Sequence, residues 1–182
     1  RIPVLVPVTW QNDWPMMGVN GKAPLTLDLG ASKGTDVAGD DSFDYSSNDL
    51  ALEWSWNHNP DNTAWSVTER PGWLRLKNKN MASHLLNARN TFTMRTEGPA
   101  CSSYIKLDAT NMKPGDYAGL SAFQLKYGCI RVRVDDSGNK KVYMSVNGGS
   151  DVAGTSNKIV AEQNMSGNEV YLKVDFKFAN VN

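Results

Sequence analysis

Four things that would steer the reading are missing from this sequence or scarce in it: a surplus of charge, a cysteine scaffold, a long apolar run and a helical period. Nineteen basic residues meet nineteen acidic ones, so no broad field draws the chain to nucleic acid or an anionic membrane, and neither partner is expected. Two cysteines, Cys101 and Cys129, cannot build a disulfide framework, and their spacing fits no zinc motif. Two buried, unbridged thiols are expected, with a single bridge open only if the two Cα atoms come within about 7 Å. No apolar stretch approaches the ~20 residues a membrane helix needs. Arg1 onward shows no basic segment leading into an apolar one, so any secretion signal lies upstream or does not exist. Histidine is scarce too. His58 and His84 form neither an H-x-x-x-H nor an H-E-x-x-H pattern, and no metal ligand is expected among them.

What the chain has is tryptophan, concentrated in one place. Four of its six tryptophans (Trp54, Trp56, Trp65 and Trp73) lie between Leu50 and Leu76. Leu50 to Trp56 alternates apolar with small or charged residues, the period of a strand with one buried face. Asn57-His58-Asn59-Pro60-Asp61-Asn62 breaks that period with turn formers. Trp65-Ser66-Val67 resumes it, Arg70-Pro71-Gly72 turns again, and Trp73 to Lys77 sets leucines on one face.

The same alternation recurs to the end. Before the tryptophans, Ile2 to Val8 reads as an edge strand or extended segment because of Pro3 and Pro7, and Leu25 to Leu29 reads as a brief strand. After them, further strands are expected at Asn90–Thr96, Ser103–Leu107, Tyr117–Leu125, Cys129–Val134, Lys141–Val146, Ile159–Val160 and Val170–Phe178. Asp135 to Asn139 supplies a hairpin connection. About ten short strands with turn signals between them indicate an all-β, two-sheet sandwich or jelly roll with helix content near zero.

The run WSWNHNPDNTAWSVTERPGWLRL, with Leu86-Asn87-Ala88-Arg89-Asn90-Thr91 and Gln124-Leu125-Lys126-Tyr127-Gly128, closely resembles the C-terminal concanavalin A-like β-sandwich of two-domain enzymes in glycoside hydrolase family 43, which includes β-xylosidases and α-L-arabinofuranosidases. Val6 to Trp10 and Asp13-Trp14-Pro15 look like the end of that family's five-bladed catalytic propeller. The resemblance implies a division into residues 1–24, propeller end and linker, and 25–182, accessory sandwich. It also implies an architecture incomplete at both ends, because in the family the strand ending at Phe178 is followed by another hairpin and closing strands. The implied partners are a catalytic propeller in the same protein and a xylose- or arabinose-containing plant polysaccharide.

In the resembled family the catalytic acids all sit on the propeller, so no catalytic residue is expected here. Glu53, Glu69 and Glu97 read as strand-face or turn residues, since glycoside hydrolysis needs two carboxyl groups facing each other across the bond. Asp36, Asp40, Asp41, Asp44 and Asp49 share one loop. A structural calcium ion is the one cofactor open to consideration there, but the spacing fits no EF-hand and a solvated linker is the expectation. His58, with Asn57 and Asn59, is the sharpest candidate for substrate contact, since the resemblance implies that this loop projects toward the propeller's active-site mouth; a loop histidine that caps a turn is the equally weighted alternative. Sugar C–H faces stack on aromatic rings while hydroxyls need fixed polar partners, which adds Trp54, Trp56, Trp73, Gln124 and Tyr127 as a possible platform. Burial of those rings in the core or against the propeller is the weightier expectation. Two other functions stay open at this point: an autonomous carbohydrate-binding module, which requires an exposed aromatic surface, and a hydrolase in its own right, which requires two facing acids.

Overall fold

The computed structural model describes residues 4–28, 30, 38–148 and 157–178, and it divides into two compact units, residues 1–36 and 37–182. That division falls later than the 24/25 boundary read from the sequence.

The first unit is a hairpin. β1 (Val8–Gln11) pairs antiparallel with β2 (Trp14–Met17). Asn12 and Asp13 turn the chain between them at φ 49° and 64°, the paired left-handed conformation that a two-residue hairpin needs and that Asn and Asp tolerate. The sequence reading ended the extended segment at Val8 and missed this turn. The strand expected at Leu25–Leu29 is also not found over its described residues 25–28. Leu25 is fully exposed, because alternation without a partner strand secures neither hydrogen bonds nor burial.

The second unit is the β-sandwich. Its regular part is carried by β7 (Ala100–Asp108), β8 (Tyr117–Ala122), β9 (Tyr127–Val134), β10 (Lys140–Asn147), β11 (Asn157–Asn164) and β12 (Glu169–Lys177). β8 to β11 form one antiparallel sheet in the order β11-β10-β9-β8, and β12 pairs with β7 in a second layer. The β9–β10 hairpin turns where the sequence indicates: Asp135 Oδ1 accepts the amides of Ser137 (3.0 Å) and Asn139 (2.8 Å), and Gly138 takes φ 81°. Val132 and Leu172 are wholly buried, with Val134 nearly so.

The four-stranded sheet is buried on both faces at its centre, which a simple period of two does not announce. Cys129, Tyr143 and Ser145 are as hidden as Val132, although register places them on the opposite face. Their cover includes the sheet's own arginines. Arg131 extends over the rings of Tyr117 and Tyr143 and donates to Ser145 Oγ at 3.1 Å. Arg133 lies over Tyr143 and pairs with Glu162. Burial lifts the Tyr143 hydroxyl to a pKa of about 12. Gly119 is what lets β8 come so close, since a Cβ there would meet Ile130 O at 2.3 Å and Arg131 Cα at 2.6 Å. Both thiols are unbridged, but only Cys129 is buried as expected; Cys101 is half-buried, near the start of β7.

The tryptophan-rich part is built from fragments: β3 (Trp54–Trp56) with β6 (Phe92–Met94), and β4 (Trp65–Ser66) with β5 (Arg75–Leu76). The strand expected from Leu50 starts only at Trp54, with Leu52 fully exposed. In Trp73–Lys77 the leucines do not make the buried face: Leu76 is half exposed, and Trp73 is capped by the Arg70 guanidinium, 3.9 Å from its ring centre. A single 3-10 turn, Leu85–Asn87, is the only helical element among the described residues.

Candidate functional site

The loop Asn57–Asn62 leaves β3 and is fastened at both ends to the segment 84–91. The Asn57 amide donates to Thr91 O at 3.0 Å, and its side chain donates to Leu86 O at 3.2 Å. At the other end Asn90 Oδ1 accepts the Asp61 amide (2.8 Å) while Asn90 Nδ2 donates back to Asp61 O (3.1 Å). Asn90 adopts φ 59° to do this, a conformation that asparagine reaches at lower cost than most residues. Asp61 Oδ1 then accepts both the amide (2.9 Å) and the hydroxyl (2.6 Å) of Thr63. Those bonds, with Lys79 Nζ 3.8 Å away, hold the Asp61 carboxyl below its ordinary pKa.

His58 is exposed, but it is fixed in place. Its Nε2 lies 2.7 Å from Leu86 O. A carbonyl oxygen only accepts, so Nε2 carries the proton, and in the neutral ring Nδ1 is left as an acceptor. The loop thereby presents an oriented imidazole edge on a rigid support, the arrangement in which loops carry function.

The residues singled out from the sequence are only partly assembled. Asn57, His58 and Tyr127 all converge on the Leu85–Leu86 turn, since the Tyr127 hydroxyl accepts the Leu85 amide at 3.4 Å. Tyr127 approaches from inside, however. It is 3% exposed and its hydroxyl also receives Asn147 Nδ2 at 3.3 Å. Its ring braces the turn and is not offered to a ligand, which corrects its place in a platform. Trp56 is half-buried, packed on Phe92 (4.7 Å) and Trp65 (5.2 Å). Asn59 and Gln124 are exposed, the second in the connection between β8 and β9.

The platform rings are mostly spent on packing. Trp54 stacks on Phe92 with centroids 4.1 Å apart and on Phe43 at 5.7 Å, and such ring pairs add to the area they bury. Asp41, one of the loop aspartates, holds this cluster: Oδ2 accepts Trp54 Nε1 (2.6 Å) and the Tyr45 hydroxyl (2.5 Å), while Oδ1 accepts the Phe43 amide (2.7 Å). Burial and the adjacent carboxylate keep the Tyr45 hydroxyl above its usual pKa, so it stays a donor. No three His, Cys, Asp or Glu side chains converge as a metal site among the described residues, and Asp36 lies outside them. Of the three glutamates, Glu69 is engaged by Arg75 (3.4 Å) and Lys77, whereas Glu97 is exposed and Glu53 half-buried.

Two features of the site escaped the sequence reading. Asn90 is the residue on which the loop's far end depends, and its signal was an asparagine inside an expected strand. His84 is 6% exposed, and its Nδ1 has no hydrogen-bond partner among the described residues. No spacing pattern pointed to it.

Residues 41–182 match the family described as β-xylosidase C-terminal concanavalin A-like domain. A β-xylosidase of Formosa agariphila is 33% identical over 170 residues, covering 79% of this chain and 29% of that protein. A non-reducing end α-L-arabinofuranosidase of Bacteroides ovatus is 39% identical over 81 residues, 42% of this chain and 15% of that one. Among solved structures, a bifunctional GH43-CE protein of Bacteroides eggerthii superposes with a TM-score of 0.78 at 40% identity, over 97% of this chain and 23% of that one. A GH43 protein from Bacillus licheniformis gives 0.67 at 24% identity over 94% and 33%, a likeness of fold alone. The chain thus spans less than a third of the length of the curated relatives it matches. This chain belongs to the family of β-xylosidase C-terminal concanavalin A-like domains.

Proposed function

We propose that this domain is the accessory C-terminal sandwich of a family 43-type glycoside hydrolase acting on xylose- or arabinose-containing plant polysaccharides. In this reading it buttresses a catalytic propeller in the same protein and lends the loop Asn57–Asn62 to the substrate pocket. One observation carries the loop's role: His58 is exposed while its Nε2 is tethered to Leu86 O at 2.7 Å and both ends of its loop are clamped. A loop held this firmly orients the imidazole before any substrate arrives. Nδ1 then accepts from a sugar hydroxyl, an interaction that positions a ring without taking part in bond cleavage. The names of the relatives, a β-xylosidase and an α-L-arabinofuranosidase, support the substrate class.

The test is kinetic and uses the full-length enzyme. His58→Ala is expected to raise KM or lower kcat/KM about 10-fold on nitrophenyl xyloside or arabinoside, the worth of one or two hydrogen bonds in a confined site. His58→Gln, which keeps a polar end, should recover part of that loss. Kinetics identical to wild type in both variants would remove the loop from the pocket. The 182-residue chain by itself is expected to show no hydrolysis, and turnover by it would overturn the accessory role.

A further inference from the structure

The outer face of the β7–β12 ribbon has a composition that packing alone does not explain. Residues alternate cleanly on both strands: Ile105, Leu107, Val170 and Leu172 turn inward, and their neighbours turn out. Two of the outward residues are tyrosines, Tyr104 at 64% exposure and Tyr171 at 74%. Register sets Tyr104 opposite Lys173 and Tyr171 opposite Lys106. The two rings are therefore diagonal neighbours on one face, on the order of 7–8 Å apart at the backbone.

The charges beside them are mostly paired. Lys106 pairs with Glu169 at 2.8 Å, Lys173 with Asp175 at 2.7 Å, and Arg70 with Asp108 at 2.6 Å. Three cations thus meet three carboxylates, Lys177 stands as a fourth cation at the end of β12, and Ser102 adds a hydroxyl bonded to Asp175 at 2.5 Å. A polyanion gains little from a face whose cations are mostly held by their own carboxylates. A ligand that is uncharged and rich in hydroxyl groups gains twice: its C–H faces lie on the exposed rings, and each ion pair offers it both donors and acceptors. Two exposed rings on a strand surface hold any one sugar unit weakly, unlike the concave pockets that enclose small ligands, so affinity has to come from several units laid along it.

From this we infer that the outer face of the β7–β12 ribbon is a stacking platform for a linear, uncharged polysaccharide, with Tyr104 and Tyr171 as its two contact rings. It is separate from the His58 loop and requires no catalytic partner. Only the choice of a pentose polymer as first probe rests on the function proposed above.

Affinity electrophoresis of the 182-residue chain through gels holding arabinoxylan, mixed-linkage β-glucan or polygalacturonate tests it. Retardation by at least one of the two neutral polymers, and not by polygalacturonate, is expected. Tyr104→Ala and Tyr171→Ala should each weaken it about 5-fold and the double variant about 25-fold, as for the loss of one and two stacked rings. Tyr104→Phe should bind nearly as wild type. These residues are exposed, so folding should survive, which near-ultraviolet circular dichroism verifies. No retardation by either neutral polymer, equal retardation by polygalacturonate, or undiminished binding by a folded double variant would each overturn the platform. The His58 kinetics are untouched by any of these results, so the two readings fail separately.

Discussion

The two halves of the sandwich, residues 38–94 and 100–177, are held together by different means. In the second, strands of six to nine residues pair over most of their length, and backbone ladders with alternating burial give the order. In the first, the strands are two or three residues long, too short to fix a register by themselves. Side chains do that work there: Asp41 gathers Trp54, Tyr45 and the Phe43 amide, Asn48 Oδ1 accepts the Val67 amide at 3.1 Å, and Asn90 grips Asp61. A ladder spreads its stability over many equivalent bonds, whereas a clamp concentrates it in one residue. The candidate loop lies in the clamped half, where a single substitution can shift it.

The largest expected effect lies in the ladder half. Leu172 is 1% exposed on the inner face of β12, and Leu172→Ala should cost about 3 kcal/mol through lost burial and the cavity left behind. Thermal unfolding should then fall by roughly 10 °C. The clamped half answers with a polar residue. Asp41→Ala strips the acceptor from two side-chain donors and one amide, and should cost about 2 kcal/mol. Asp41→Asn keeps one oxygen and should recover part of it. Trp54 fluorescence should move with Asp41→Ala and not with Leu172→Ala. If both variants perturb Trp54 equally, the contrast between the halves fails.

That contrast also explains what the sequence made legible. From Ala100 onward, alternation located every strand, because backbone pairing and burial both repeat every second residue. β7, for example, was recognised at Ser103–Leu107 and extends to Ala100–Asp108. Leu50 to Trp56 carried the same signal, yet only three residues of it are strand, since no long partner lies beside it. Trp54 and Trp56 are half-buried in ring contacts with Phe92, contacts that join residues 36 or more apart in sequence and that alternation alone does not announce. Tyr127 was misjudged because burial at a strand's start depends on the Leu85 turn that covers it, 42 residues away in sequence. The outward tyrosines of β7 and β12 were visible as strand residues, but their pairing needs the register between distant strands, which alternation does not encode.

The third expectation concerns the clamp itself. Asn90→Ala removes two hydrogen bonds to the Asp61 backbone and puts a less tolerant residue at φ 59°. A loss of about 1–2 kcal/mol is expected. Because the loop is local, hydrogen exchange at the Asp61 amide should accelerate well before global unfolding changes. In the full-length enzyme the same variant should imitate His58→Ala in KM, since the imidazole loses its support. Fast exchange with unchanged kinetics would separate the loop's rigidity from any part in substrate contact.

The smallest effect ties the halves together. Arg70, from the clamped half, reaches Asp108 at the end of β7 with a 2.6 Å bond. Asp108 has its pKa lowered to about 2, first by Thr110 and then by Arg70. A carboxylate whose folded pKa is depressed contributes stability that is complete above its unfolded pKa near 4. That contribution is lost as pH falls from there toward 2. The shift caps the contribution at about 2 kcal/mol. Arg70 is two-fifths exposed, so solvent screening leaves its own share at about 0.5 kcal/mol. Arg70→Ala also uncovers the Trp73 ring, a loss that does not depend on pH. The diagnostic quantity is therefore the difference in stability between wild type and variant, measured by urea unfolding at pH 6 and again near pH 2.5. It should shrink at the lower pH by part of the screened amount, because folded Asp108 only begins to take up its proton there, while the Trp73 part persists. A difference that stays constant with pH would mean that the guanidinium acts on Trp73 alone, and that no ion pair joins the clamped half to the ladder.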